Sequence, residues 1–89
     1  MDFQTHKKKL LQDPEFRKVY EETRLEFEIS RAIIAARIKN GLSQKELAEK
    51  LNTRQSVISR VENARTIPSL SFLKRLAKVL DVSLQVKFQ

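Results

Sequence analysis

The chain of 89 residues has no cysteine and no tryptophan, a single glycine and only two prolines. Without cysteine there is no disulfide, no thiolate zinc site and no cysteine nucleophile, which fits a reducing compartment and gives the expectation of a cytoplasmic protein. With Gly41, Pro14 and Pro68 as the only strong breakers, long stretches have nothing to interrupt a helix. No run of about 18 apolar residues exists, so no membrane-spanning segment is expected. The basic run Lys7 to Lys9 is followed by only Leu10 and Leu11 before Gln12, Asp13 and Pro14, which is not the pattern of a signal peptide. A phosphate loop, a nucleophile arrangement and a His/Cys ligand set are missing too. His6 stands alone, and Glu21, Glu22, Glu26 and Glu28 point around a helix rather than to one point. The expectation is therefore a protein that is not an enzyme and takes no metal or cofactor. No low-complexity tract, linker or internal repeat stands out.

What the chain has in plenty is positive charge, unevenly placed. The formal net charge is +7. Residues 1–29 carry six Lys/Arg and seven Asp/Glu, whereas residues 30–89 carry twelve against four. A polyanion partner is implied for the second part and a different task for the first. Lys7 to Lys9 reads as a disordered tail, with a minor-groove arm as the alternative. A domain this small buries only about two-thirds of its unfolded surface, so a second copy is a natural source of further stability.

Hydrophobic spacing predicts an all-α fold. Asp13-Pro14-Glu15 is a helix start, since Asp accepts from orphan amides, Pro suits the first helical position and acids favour the positive end of the dipole. Phe16, Val19, Tyr20, Thr23 and Phe27 then recur at helical spacing. One long helix to Asn40-Gly41 and two helices broken near 23–27 are both open; the reading taken is the break. Ser43 with Glu46 forms a capping box opening a helix that turns Leu47, Ala48 and Leu51 inward. A further helix puts Ile58 and Val61 inward after a turn at Asn52-Thr53, with Thr53 or Arg54 as its cap, Thr53 being favoured. Pro68-Ser69 opens a last helix with Leu70, Leu73, Leu76, Ala77 and Leu80 inward. From Val82 the period becomes two: Val82, Leu84, Val86 and Phe88 alternate with polar residues, which predicts a β-strand. Nothing else in the chain pairs with it, so its partner is expected in a second copy or in another protein.

Two short helices joined by a tight turn describe a helix-turn-helix. In that motif the second helix enters the major groove, where Arg pairs with guanine, Gln with adenine and Ser with either. Arg54, Gln55, Ser56 and Arg60 are residue types of that kind at the end that would enter first. The run from Ala36 to Leu80 resembles the Cro/C1-type, or XRE-family, helix-turn-helix domain in Arg37, Leu42-Ser43-Gln44, Glu46-Leu47-Ala48, Ile58-Ser59-Arg60, Glu62-Asn63 and Pro68-Ser69-Leu70. This resemblance implies phosphate contacts for Gln44 and Lys45, and a groove lined by Arg54, Gln55, Ser56, Ser59 and Arg60. It also implies backbone contacts for Arg65 and Thr66, and an internal salt bridge between Arg37 and Glu62. Ala64 departs from the family, which usually has Gly there; alanine resists positive φ, so that turn must be built differently or carry strain.

The leader from Asp13 to Arg37 resembles that of HigA-type antitoxins. The implied protein is a homodimeric repressor that binds a palindromic operator in double-stranded DNA, autoregulates its operon and neutralises a RelE/HigB-like ribonuclease toxin. A stand-alone phage-type or bacterial regulator is the alternative. Three parts are expected: a helical extension over 1–29, a five-helix arrangement completed by the helix-turn-helix domain over 30–81, and a C-terminal strand over 82–89. Leu84, Val86 and Phe88 mark the strand that pairs with the dimer mate or the partner. Phe16, Tyr20 and Phe27 belong either to the core or to a toxin interface.

Overall fold

A computed structural model describes residues 12–88; the expectations for His6 and for Lys7 to Lys9 lie outside them. Four helices follow in order: α1 Pro14–Lys39, α2 Gln44–Lys50, α3 Gln55–Glu62 and α4 Leu70–Leu80. The break near 23–27 does not occur, and the described residues hold four helices rather than five. Nothing between Pro14 and Gly41 stops the helix. Two i,i+4 pairs, Arg17 with Glu21 and Arg24 with Glu28, brace it. Thr23 is accommodated by donating its hydroxyl to the Val19 carbonyl at 2.9 Å. The division expected at residue 29 therefore falls inside an unbroken helix.

Local chemistry sets the helix starts. Asp13 accepts from the amides of Glu15 and Phe16, with Pro14 opening α1. The Ser43 hydroxyl accepts from the Glu46 amide and the Glu46 carboxylate accepts from the Ser43 amide, both at 3.0 Å, closing the capping box of α2. Ser69 caps α4 through the Phe72 amide. The exception is α3: its N-cap is Arg54, which makes no side-chain bond to the helix, and not Thr53. Thr53 sits one residue too early, its amide already donating to the Ala48 carbonyl to finish α2.

All four helices end in one way. An amide five residues on closes each last turn, Leu42 to Arg37, Thr53 to Ala48, Arg65 to Arg60 and Val82 to Ala77. The residue before each of these amides is left-handed: Gly41, Asn52, Ala64 and Asp81 have φ of 68°, 55°, 57° and 54°. Ala64 thus takes the positive φ that glycine usually supplies.

The core forms around Ile33, Leu47, Ala48, Leu51, Ile58, Val61, Leu76 and Leu80, with Ile29, Ala36, Leu42, Phe72, Leu73 and Val79 packed against it. Leu70, expected inward, is 57% exposed at the first turn of α4. Phe16, Tyr20 and Phe27 do not join this core, and the half of α1 before Ser30 has no buried residue. The C-terminal strand is not formed. Residues 82–88 make no ladder, because a ladder needs a second strand and the described residues contain none. Val82, Ser83 and Leu84 lie together along an apolar groove between α1 and α4 lined by Ile29, Ala32, Ala36, Leu73 and Ala77, so the expected alternation of faces is not kept there. Val86 and Phe88 run on into solvent.

Candidate nucleic-acid interface

The sequence QSVISRVE alternates faces at helical spacing, and α3 follows it. Ile58, Val61 and Glu62 are buried on one side, while Gln55, Ser56 and Arg60 are exposed and Ser59 is half-buried beside them. Arg54 at the N-cap is exposed as well. The first amides of α3 therefore have no side-chain acceptor, and the positive end of its dipole stands open next to Arg54. Lys45 is exposed on the first turn of α2, and Arg65 and Thr66 are exposed in the connection after α3. Lys45, Arg54, Gln55, Ser56, Arg60, Arg65 and Thr66 are thus all exposed to solvent in the two-helix unit and the connection after it.

One buried ion pair fixes the angle between these elements. Arg37 Nε donates to Glu62 Oε2 at 2.7 Å and Arg37 Nη2 donates to Glu62 Oε1 at 3.0 Å, a two-point contact. The Glu62 side chain is 4% exposed. Gln44 Nε2 also donates to Glu62 Oε1 at 3.0 Å, and Arg37 Nη1 reaches the Leu42 carbonyl at 2.9 Å. The Ser30 hydroxyl donates to the Glu62 carbonyl. Glu62 accordingly ties α1, the α1–α2 connection and the start of α2 to the end of α3. Its hydrogen bond holds the Arg37 guanidinium even above its ordinary, already high pKa, against the opposing effect of burial. Exposed Glu46 is shifted the other way: the Ser43 amide, then the Ser43 hydroxyl, stabilise its carboxylate and lower its pKa.

Several positioning residues were not legible beforehand. Ser30 looked like an ordinary helical serine. Asn40 Nδ2 donates to both the Ala36 and the Leu80 carbonyls, clamping the ends of α1 and α4 together, and Arg75 donates to the Leu51 carbonyl at the end of α2. Gln44 proves to be half-buried and anchored on Glu62. Asn63 continues the exposed face of α3 beyond Ser59 and Arg60 and donates to the Ser59 hydroxyl at 3.3 Å. Its three- and four-residue spacing from those two was the signal that would have found it.

Residues 33–87 match the family described as helix-turn-helix. Among curated proteins, multiprotein-bridging factor 1 of Saccharomyces cerevisiae is 39% identical over 62 residues, 70% of this chain and 41% of that protein. Multiprotein-bridging factor 1c of Arabidopsis thaliana is 34% identical over 64 residues, 72% of this chain and 43% of that protein. Antitoxin HigA1 of Mycobacterium tuberculosis is 35% identical over 74 residues, 83% of this chain and 50% of that protein. The chain spans half or less of the length of these relatives. A match of 74 residues in a chain of 89 begins no later than residue 16, so the likeness to HigA1 takes in nearly all of α1. With the family matched across more than half of its length and the two-helix unit in place, the chain belongs to the Cro/C1-type helix-turn-helix family of DNA-binding domains.

Proposed function

We propose that the chain is a sequence-specific repressor that binds a palindromic operator as a two-fold dimer and serves as the antitoxin of a RelE/HigB-like toxin. The observation that carries DNA reading is the two-sidedness of α3. Its apolar side is locked into the core by Ile58 and Val61, which leaves Arg54, Gln55, Ser56, Ser59 and Arg60 to face a groove. Gln44 keeps a second amide hydrogen for a phosphate after bonding Glu62, and Lys45, Arg65 and Thr66 supply further backbone contacts. A two-fold arrangement sets the half-sites about 34 Å apart, one turn of DNA. Binding is the whole activity in this reading, with no catalytic step and no cofactor.

The antitoxin part is supported by the likeness to HigA1, which runs through α1 as well as the helix-turn-helix. Two surfaces outside the DNA-reading unit are left for proteins: the outer stripe of α1 with Phe16, Tyr20 and Phe27, and the unpaired tail with Leu84, Val86 and Phe88. A second reading, a regulator without a toxin that links other proteins, is favoured by the several relatives named as bridging factors.

The test of DNA reading is titration of short duplexes at several salt concentrations. Gln55→Ala and Arg60→Ala are each expected to cost about 1–3 kcal/mol and relax base preference, whereas Lys45→Ala weakens all sequences alike and flattens the salt dependence. Unchanged operator binding in both α3 variants overturns the groove assignment. Co-expression with the product of the adjacent reading frame separates the two readings: a small basic partner that co-purifies and loses its ribonuclease activity identifies an antitoxin.

A further inference from the structure

Helix α1 carries a seven-residue pattern whose first two repeats lie outside the core and whose third reaches the buried Ser30. Phe16, Thr23 and Ser30 are each followed by an arginine, Arg17, Arg24 and Arg31, and four residues after Phe16, Thr23 and Ser30 stand Tyr20, Phe27 and Ile34. Alternate spacing of four and three along Phe16, Tyr20, Thr23 and Phe27 is the spacing of a coiled-coil seam, which calls for a second helix alongside. The seam is not the core-facing side of α1, since none of Phe16, Tyr20, Phe27 and Ile34 packs against the core. Phe16 and Tyr20 stack on each other with centroids 6.2 Å apart, and Phe27 is 55% exposed.

Charges beside the seam say what kind of helix fits. The arginines form one edge. Arg17 and Arg24 are paired within the helix to Glu21 and Glu28, but four residues after Arg31 comes Ala35, and among the described residues Arg31 has no ion pair. On the opposite edge lies Glu26, whose Oε2 is buried with no hydrogen-bond partner among the described residues. In a parallel pair of identical helices the two edges face each other with an offset of five residues, which brings Glu26 of one copy to Arg31 of the other, twice by symmetry. Pairing between copies requires the part-exposed Glu26 side chain to turn its carboxylate from that buried position to the surface. An antiparallel pair would set the arginine edge against itself. It would also put the two helix-turn-helix units at opposite ends of helices about 39 Å long, whereas a parallel pair keeps both at one end, where one duplex can meet them.

We infer that the Phe16–Phe27 stripe of α1 is the dimer seam, occupied by α1 of a second copy running parallel, with Glu26 and Arg31 pairing between copies. This rests on the dimeric reading given above and leaves the tail and its groove for the protein partner. The test uses the full chain in sedimentation equilibrium, alone and on duplex. Tyr20→Lys with Phe27→Lys is expected to weaken dimerisation about 30-fold or more, with the helicity of the folded chain retained. Glu26→Arg and Arg31→Glu each weaken it, and the two together restore it. Because the chain has no cysteine, Phe27→Cys gives one thiol per copy. In a parallel pair the two thiols meet and mild oxidation links the copies, and an equimolar mixture of Tyr20→Cys and Phe27→Cys chains links like with like, since the two positions lie about 10 Å apart along the helix. A dimer that survives the lysine pair at full strength, with Phe27→Cys failing to link, overturns the seam and leaves the dimeric reading standing. A wild-type chain that is monomeric both alone and on the duplex overturns both.

Discussion

Replacing Ala64 by glycine should stabilise the protein, and the size of the gain follows from the backbone. Ala64 ends α3 with φ 57°, its amide donating to the Val61 carbonyl at 3.1 Å and the next amide to the Arg60 carbonyl at 3.0 Å. The left-handed conformation costs an L-residue about 1–2 kcal/mol, through the approach of Cβ to the following carbonyl. Glycine removes that cost but returns about 0.4–1 kcal/mol through the larger freedom of the unfolded chain. Ala64 is half-buried, so its methyl group also gives up some contact. The net expectation for Ala64→Gly is a gain of about 0.5–1 kcal/mol, or about 2–8 °C in melting temperature for a domain of this size. Thermal and urea unfolding followed by circular dichroism measure it, with an unchanged urea slope showing that stability changed while the compactness of both states did not. Gly41→Ala is the reciprocal experiment. An added Cβ meets nothing within 4 Å there and φ is +68°, so the same two backbone effects act without a packing change and the protein should lose about 0.5–1.5 kcal/mol. The reasoning fails if Ala64→Gly lowers the melting temperature, or if Gly41→Ala leaves it unchanged.

The remaining predictions concern charge. Glu62→Gln leaves the Arg37 guanidinium without its carboxylate in a nearly closed site, and a loss of about 3–5 kcal/mol is expected in urea unfolding; a loss below 1 kcal/mol would mean that the hub is dispensable. For Glu46 the sign runs from its lowered pKa. Its contribution is present above the ordinary carboxylate range and disappears as the pH falls through the folded value. NMR titration should show Ser43→Ala raising the Glu46 pKa only part of the way towards the usual carboxylate value, because the backbone amide that acts most strongly on it remains, and the stability difference between wild type and Glu46→Gln should shrink in acid.

The helix starts were legible because capping is local: Asp13 with Pro14, Ser43 with Glu46, and Ser69 each act within four residues. Core positions Leu47, Ile58, Val61, Leu76 and Leu80 were legible for the same reason, since periodicity assigns a face before the neighbour is known. Continuity of α1 was not. With no proline or glycine between Pro14 and Gly41, the spacing left one helix and two both open, and the bonds of Arg24 and Thr23 to residues four away lie within one continuous helix. Leu70 and Leu84 carry the hydrophobic signal of the core without its burial, because periodicity cannot say where the covering layer stops. The Arg37–Glu62 pair came from resemblance, and no spacing rule connects residues 25 apart. Ser30, Asn40 and Arg75 were missed because each acts on a distant carbonyl, a group that every residue has. The seven-residue pattern of α1 was in plain view but is masked by the 3.6-residue period that buries Ile33.

The absence of a hinge in α1 has a mechanical meaning. The rod that starts at Pro14 in solvent ends beside Gly41, and on the way Arg37 grips the last residue of α3. Anything that seizes the outer turns and twists or tilts them carries the reading helix along as one lever, since no joint lies between to absorb the movement. A protein clamped on that arm can therefore set the pitch at which two reading helices meet a duplex without ever touching DNA.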